Sequence, residues 1–353
     1  MVSVEPEHIL PAEWAPQAGV LLTWPHADSD WRPHLAAVEP VFVRIAAEVA
    51  RREDVVIGCR DAALAGHVRG LLAAAGVDPA RVRLHVVASQ DTWARDHGPL
   101  TVIRRGAPLL LDFTFNGWGG KFAAEQDDQI SRRLHALGAF GAEAMASVDL
   151  VLEGGSVESD GAGTLLTTRR CLLGPGRSGL SEAELTRQLG VLLGTPRVLW
   201  LSHGGLAGDD TDGHIDTLAR FTDVETIAYQ SCDDPGDPDF AELALMAGEL
   251  AALRTAAGAP YRLVPLPWPR ARRADDGARL PAGYANFLIL NDAVLVPTYA
   301  DPADVRALAS LRACFPGREV VGVDCRALLV QGGSLHCLTM QLPQPLTLGP
   351  GTA

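Results

Sequence analysis

Gln331-Gly332-Gly333-Ser334-Leu335-His336-Cys337-Leu338-Thr339-Met340-Gln341-Leu342-Pro343 is echoed earlier in the chain by Glu153-Gly154-Gly155-Ser156-Val157. Each run couples a polar residue and two glycines to a short apolar segment. The glycines allow a sharp turn or a close backbone approach. Similar polar or glycine-rich strand ends recur at Trp93, His214 and Asn286. The gaps of roughly 45 to 70 residues suit a repeated supersecondary unit. One such unit cannot bury its apolar face alone. Five of them, closing around an axis, bring five polar strand ends to one centre.

Between these points, short strand pairs alternate with helices. Strands are predicted at Gly19–Pro25, Asp54–Cys59, Arg83–Val87, Leu109–Phe113, Thr164–Thr168, Val198–Leu201 and Glu319–Val323. Residues Tyr284–Leu290 and Ala293–Pro297 read as a hairpin turning at Asn291-Asp292. Helical spacing covers Pro40–Arg52, Ala62–Ala75, Asp128–Leu137, Asp239–Thr255 and Asp304–Cys314. Ser181 and Glu184 form a capping-box pattern ahead of the helix ending near Leu189. Tyr261–Pro281, rich in proline and arginine, reads as a long loop or lid. No linker divides the chain, so one domain built from repeats is expected.

With 353 residues, 47% hydrophobic and 21% charged, the sequence supports a large core. A formal net charge of -13 disfavours nucleic acid or an anionic membrane as partner and suits a cationic small molecule. The six cysteines show no CxxC spacing and read as reduced thiols. Met1–Glu7 lacks a signal-peptide pattern, and no apolar run reaches membrane-spanning length. A cytoplasmic protein is expected.

Cys337 is read either as a buried core thiol or as a nucleophile. A cysteine, a distant histidine and carboxylates are the generic nucleophilic set. His214 is the candidate general acid and base. Asp96 and Asp216 lie in polar motifs beside apolar strands, where an unpaired charge is costly. They either pair locally or hold a planar cation, since a guanidinium offers five donors in a fixed fork. Glu153 is either a turn acid or the partner that orients His214. No metal is expected, because His214-Ile215-Asp216 has no complementary ligand motif. Gly117–Gly120 is not a phosphate loop. Trp93 and Trp118 are core residues or stack on a cation.

Six ordered motifs resemble those of the agmatine deiminase and bacterial peptidylarginine deiminase family. They are Asp91–Pro99, Phe115–Gly120, Glu153–Ser156, Gly213–Asp216, Tyr284–Phe287 and Gly332–Cys337. Pro11-Ala12-Glu13-Trp14 also resembles the family's opening, so the likeness spans about residues 9 to 345. It implies a pentein, the five-bladed α/β propeller of guanidino-group-modifying enzymes, with no cofactor and a dimer or larger assembly. It implies Cys337 as nucleophile, His214 as acid and base, Glu153 as its orienting acid, and Asp96 and Asp216 as guanidinium-binding carboxylates. Trp93, Asn116, Trp118, Asn286 and Gly332 are expected to line the pocket. Ser334-Leu335 departs from the Asn-containing wording common before the family's His-Cys pair, and His97 from the Asn, Thr or Tyr more usual there. The implied reaction is hydrolysis of agmatine to N-carbamoylputrescine and ammonia. Deimination of free or peptidyl arginine, amidino transfer, and a binding-only propeller are the alternatives.

Overall fold

The computed structural model describes residues 7–353. Met1–Pro6, which carry most of the sequence read for an export signal, lie outside the described residues.

Five sheets share one plan. In each, an inner strand pairs antiparallel with a middle strand. The chain then crosses over, mostly through a helix, to an outer strand parallel to the middle one. The first sheet pairs Thr339–Pro343 with Gln17–Thr23, then with Asp54–Cys59 and a fourth strand, Val82–Val86. Its inner strand comes from the far end of the chain, which fastens the last unit to the first. The second runs Leu100–Arg104, Ala107–Thr114, Ala144–Val151, with His8–Ile9 added at the inner edge. The third runs Glu158–Ser159, Thr164–Thr168, Arg197–Leu201. The fourth runs Ala219–Asp223, Thr226–Gln230, Arg262–Leu266. The fifth runs Leu288–Ile289, Ala293–Thr298, Glu319–Asp324. This is the expected five-fold α/β arrangement.

The crossover helices form where apolar residues recur on one face. Leu35–Ala50 buries Val38, Val41, Phe42, Ile45, Ala46 and Val49. It starts earlier than the sequence suggested and carries Pro40 inside rather than in its first turn. Ser181 caps Glu182–Leu193 by accepting from the Glu184 backbone N–H at 3.3 Å. The reciprocal half of the capping box is not made, because Glu184 pairs with Arg187 at 2.6 Å.

Two segments differ from the sequence reading. Tyr284–Phe287 is a turn and not part of a hairpin strand. Its backbone is taken by other units: Tyr284 N–H donates to Gln230 Oε1 at 2.7 Å, and the Asn286 carbonyl accepts from His336 N–H at 3.2 Å. Within the supposed loop 261–281, Arg262–Leu266 is a strand and Arg272–Arg273 pairs with Arg279–Leu280. Pro265 misled the reading, since proline is tolerated in an edge strand and this one pairs only with Thr226–Gln230. Among the described residues, no helix is long and apolar enough to cross a membrane.

What positions the site is a shared detail. Every inner strand is preceded by a tight turn: Ala94–His97, Gly154–Ser156, Ile215–Thr217, the turn at Tyr284-Ala285, and His336–Leu338. The last of these lies past Gln331, where the sequence reading placed the strand end. The five turns carry or adjoin Asp96, Glu153, His214, Asp216, Asn286 and Cys337.

Candidate active site

The turns meet through side chains. Asp96 accepts from the Gly155 N–H at 3.0 Å and from Trp118 Nε1 at 2.9 Å. His214 Nδ1 lies 3.5 Å from Asp96 Oδ1, and its Nε2 lies 3.9 Å from Glu153 Oε2. Asn286 Nδ2 donates to Asp216 Oδ2 at 3.2 Å and to Cys337 Sγ at 3.2 Å. The Cys337 thiol points at Asp216 Oδ2 from 3.6 Å. Cys337, His214, Glu153, Asp96, Asp216 and Asn286 are all buried, so one cluster holds all five expected catalytic residues.

A cavity of about 130 Å³ opens over this cluster. Cys337, Asp96, Trp93, Trp118, Gly332 and Gly333 line it, with Asp30, Asp91 and Asp210 among the residues around them. Trp93 is fixed by Nε1 donating to Asp91 Oδ2 at 3.0 Å. Trp118 sits at φ 56°, a conformation few non-glycine residues adopt, which points its indole N–H at Asp96. Asn286 and Asp216, bonded to each other and facing Cys337, are not among the lining residues, and nor is Asn116. Asn116 Oδ1 accepts from Gly119 N–H at 2.8 Å and its Nδ2 donates to the Gly176 carbonyl at 2.7 Å. It shapes the Trp118 turn instead. Nor do residues of 261–281 line the cavity; Arg279 is held at 3.0 Å by Asp237.

The charges suit a planar cation. Burial, with the Asp216 and Glu153 carboxylates nearby, pushes Asp96 up to about 6 despite His214. Burial disfavours a charged His214, but Asp96, Cys171 and Glu153 overcome it and hold the ring well above the usual histidine range. Burial and the charges of Asp216 and Asp96 push the Cys337 thiol well above its ordinary value. The protein's own charges therefore favour a neutral Cys337 thiol and a His214 imidazolium. A planar cation between Asp96 and Asp216 reverses that penalty, since nearby positive charge favours a thiolate.

Several buried charges were not assigned from sequence. Arg177 Nε lies 3.0 Å from Glu153 Oε1. Glu153, Cys171 and His214 place donor atoms within 4.8 Å of one another, but the Arg177 guanidinium already supplies a positive charge there. Beneath Cys337, His336 bridges Asp216 and Glu13, and Glu13 also meets Arg95 and Arg220. Arg220 continues to Glu158 at 2.6 Å. These partners come from distant parts of the chain. The only sequence signal was the presence of Glu13 and His336 inside family-like motifs.

The family model for Porphyromonas-type peptidyl-arginine deiminases matches residues 9–343. The agmatine deiminase of Stutzerimonas stutzeri is 34% identical over 362 residues, covering 96% of both chains. The solved agmatine deiminase of C. jejuni with substrate bound is 33% identical, with a TM-score of 0.89 over 96% of this chain and 97% of that one. A Porphyromonas gingivalis structure, provisionally described as an arginine deiminase, is 50% identical, with a TM-score of 0.90 over 96% of this chain and 99% of that one. The five-bladed architecture is the pentein fold, and the chain belongs to the Porphyromonas-type peptidyl-arginine deiminase family.

Proposed function

We propose that the protein is a hydrolase of the C–N bond of a linear guanidine, with agmatine as substrate, giving N-carbamoylputrescine and ammonia. The observation that carries the reading is the position of Cys337 Sγ: it lines the cavity, 3.6 Å from Asp216 Oδ2, in a pocket that Asp96 also lines. Two carboxylates there suit the fork of guanidinium donors.

In the reaction, Asp96 and Asp216 hold the guanidinium, its charge lowers the thiol pKa, and Cys337 gives its proton to solvent. The thiolate forms an S–C bond to the central carbon. His214 gives its proton to the departing nitrogen as the C–N bond breaks, leaving an amidino-thioether. The neutral imidazole then takes a proton from water. The new hydroxyl adds to the carbon, the S–C bond breaks, and the carbamoyl product leaves. Guanidinium and water become a ureido group and ammonium. Glu153 and Asp96 flank the two His214 nitrogens and keep the ring charged between turnovers.

The aminobutyl tail is supported by the cavity mouth. Asp30 and Asp210, both exposed, line it, and none of the described residues lining the cavity is lysine or arginine. Lys121 approaches but bonds Asp212 Oδ2 and the Asp210 backbone carbonyl, at 2.7 Å each. Such a mouth suits an ammonium better than a carboxylate. Free arginine is the second reading, favoured by the 50% identical P. gingivalis relative. Ammonia release from agmatine, arginine and peptidyl arginine separates the two, with agmatine expected to give the highest kcat/KM. Mass spectrometry during turnover should find the adduct on Cys337, and Cys337→Ala should lose activity by roughly a thousandfold or more. A fully active Cys337→Ala protein ends this reading.

A further inference from the structure

His336 stands next to Cys337 in sequence but is not among the residues lining the cavity. Its Nδ1 lies 2.8 Å from Asp216 Oδ2, the same oxygen that faces Cys337 Sγ. Its Nε2 lies 2.8 Å from Glu13 Oε1. Glu13 belongs to the opening segment Pro11–Trp14, at the other end of the chain. It is anchored by Arg95 Nη1 at 3.0 Å, by Gln341 Nε2 at 2.8 Å and by Arg220. His336 and Arg220 are fully or almost fully buried.

Two contacts of 2.8 Å to carboxylate oxygens each need a proton between the heavy atoms. Glu13 is drawn well below the usual carboxylate range by Arg220, His336 and Arg95, against its burial. Both protons therefore sit on the imidazole ring. Burial and the guanidiniums of Arg220 and Arg95 outweigh Glu13 and Asp216 and pull the ring below the ordinary histidine value, so its charge rests on the two 2.8 Å contacts to ionised carboxylates. Asp216 responds: although buried, it is held below the ordinary carboxylate value, with His336 the largest favourable influence. Asp96, without such a partner, is pushed up to about 6. The two carboxylates thus differ in how closely a histidine holds them: His336 bonds Asp216 at 2.8 Å, whereas His214 stands 3.5 Å from Asp96.

We propose that His336, backed by Glu13, is a positioning residue that keeps Asp216 ionised and aimed at the guanidinium, so that the N-terminal segment Pro11–Trp14 forms part of the active site. The proposal rests on the reading of Asp216 as a guanidinium-binding group. The groups facing Asp216 are His336, Cys337 and Asn286, with His214, Arg220 and Asp96 at longer range. Those facing Glu13 are Arg95, Arg220, His336 and Gln341. When His336 is removed, Asp216 loses its cation while Asp96 and Cys337 remain. Its pKa rises, and its charge is then lost as the pH falls through that raised value.

The test is KM and kcat for agmatine from pH 5 to 9, with thermal melts as a folding control, on wild type, His336→Leu, His336→Gln, Glu13→Gln and Asp216→Asn. In wild type, KM should rise at low pH as the single group Asp96 protonates. In His336→Leu that rise should begin at higher pH and become steeper, with KM at neutral pH up about tenfold or more and kcat changed less. His336→Gln, which keeps an N–H donor without the charge, should recover KM at high pH but not at low pH. Glu13→Gln should shift KM the same way by less, and it tests the relay if His336→Leu does not fold. A parental KM–pH profile in both His336→Leu and Glu13→Gln, alongside a damaged Asp216→Asn, overturns the proposal alone. A parental KM in Asp216→Asn overturns the guanidinium reading and the proposal with it.

Discussion

Glu153-Gly154-Gly155-Ser156 and Gln331-Gly332-Gly333-Ser334 share a Gly-Gly-Ser run but not a station relative to the strand that follows. The first run is itself the turn that feeds an inner strand, with Gly154–Ser156 followed closely by Glu158–Ser159. In the second, the equivalent turn is His336–Leu338, and the glycines lie ahead of it at the cavity wall. The spatial counterpart of Gly155 is Cys337. A likeness in wording read as one repeated device is two devices, one deep and one at the mouth. The deep pair makes room for charged catalytic groups. The other makes room for an aromatic wall.

The deep pair gives the largest expected effect. Gly155 N–H donates to Asp96 at 3.0 Å. A Cβ at Gly155 would stand 2.6 Å from His214 Nδ1 and 2.8 Å from Asp96 Oδ1. Both groups are buried and have nowhere to retreat without losing alignment. A displacement of ~1 Å costs about a hundredfold in rate. Gly155→Ala should therefore lower kcat by about a hundredfold while the protein stays folded. A Gly155→Ala enzyme with parental kcat breaks the distinction between the pairs.

A smaller effect comes from Glu153, at the head of the same run. Its charge helps hold His214 above its ordinary pKa. A raised histidine pKa means the imidazolium persists through neutral pH and is lost as pH rises through the folded value. Glu153→Gln removes one supporting charge, which lowers the His214 pKa, while Arg177 keeps Asp212 at 3.4 Å. The alkaline limb of kcat should move down by about one pH unit, a tenfold loss where the limb falls. Substitutions in the second run should leave that limb in place.

The division also shows how far the sequence could be read. Five polar strand ends, spaced at supersecondary intervals, were visible because hydrophobic periodicity and glycine placement are local signals. Cys337, His214, Asp96, Asp216 and Glu153 could each be singled out because a polar residue between apolar strands is conspicuous. The Glu13–His336–Asp216 relay could not be read that way. Its members lie at opposite ends of the chain, and no local pattern marks a histidine that bonds sideways. Asn116 misled for a related reason. It sits in a family-like motif, yet its amide shapes the Trp118 turn rather than lining the cavity. Arg262–Leu266 was lost to Pro265, whose meaning depends on whether the strand is at an edge, a fact of topology.

Gly333 gives the smallest effect and the sharpest separation. A Cβ there would lie 2.3 Å from Trp93 Cζ3, inside the indole. Unlike the groups around Gly155, Trp93 takes no part in bond making, and it faces the cavity. The ring can yield toward that space, held at one point by its bond to Asp91. Yielding narrows the pocket that receives the substrate without moving Cys337, His214 or Asp96. Gly333→Ala should then raise the KM for agmatine about fivefold, the equivalent of about 1 kcal/mol, and leave kcat and its alkaline limb where they were. Steady-state kinetics across pH on Gly333→Ala beside Gly155→Ala tests this directly. If Gly333→Ala loses kcat rather than affinity, the wall and the catalytic centre move as one body, and the two glycine pairs serve one device after all.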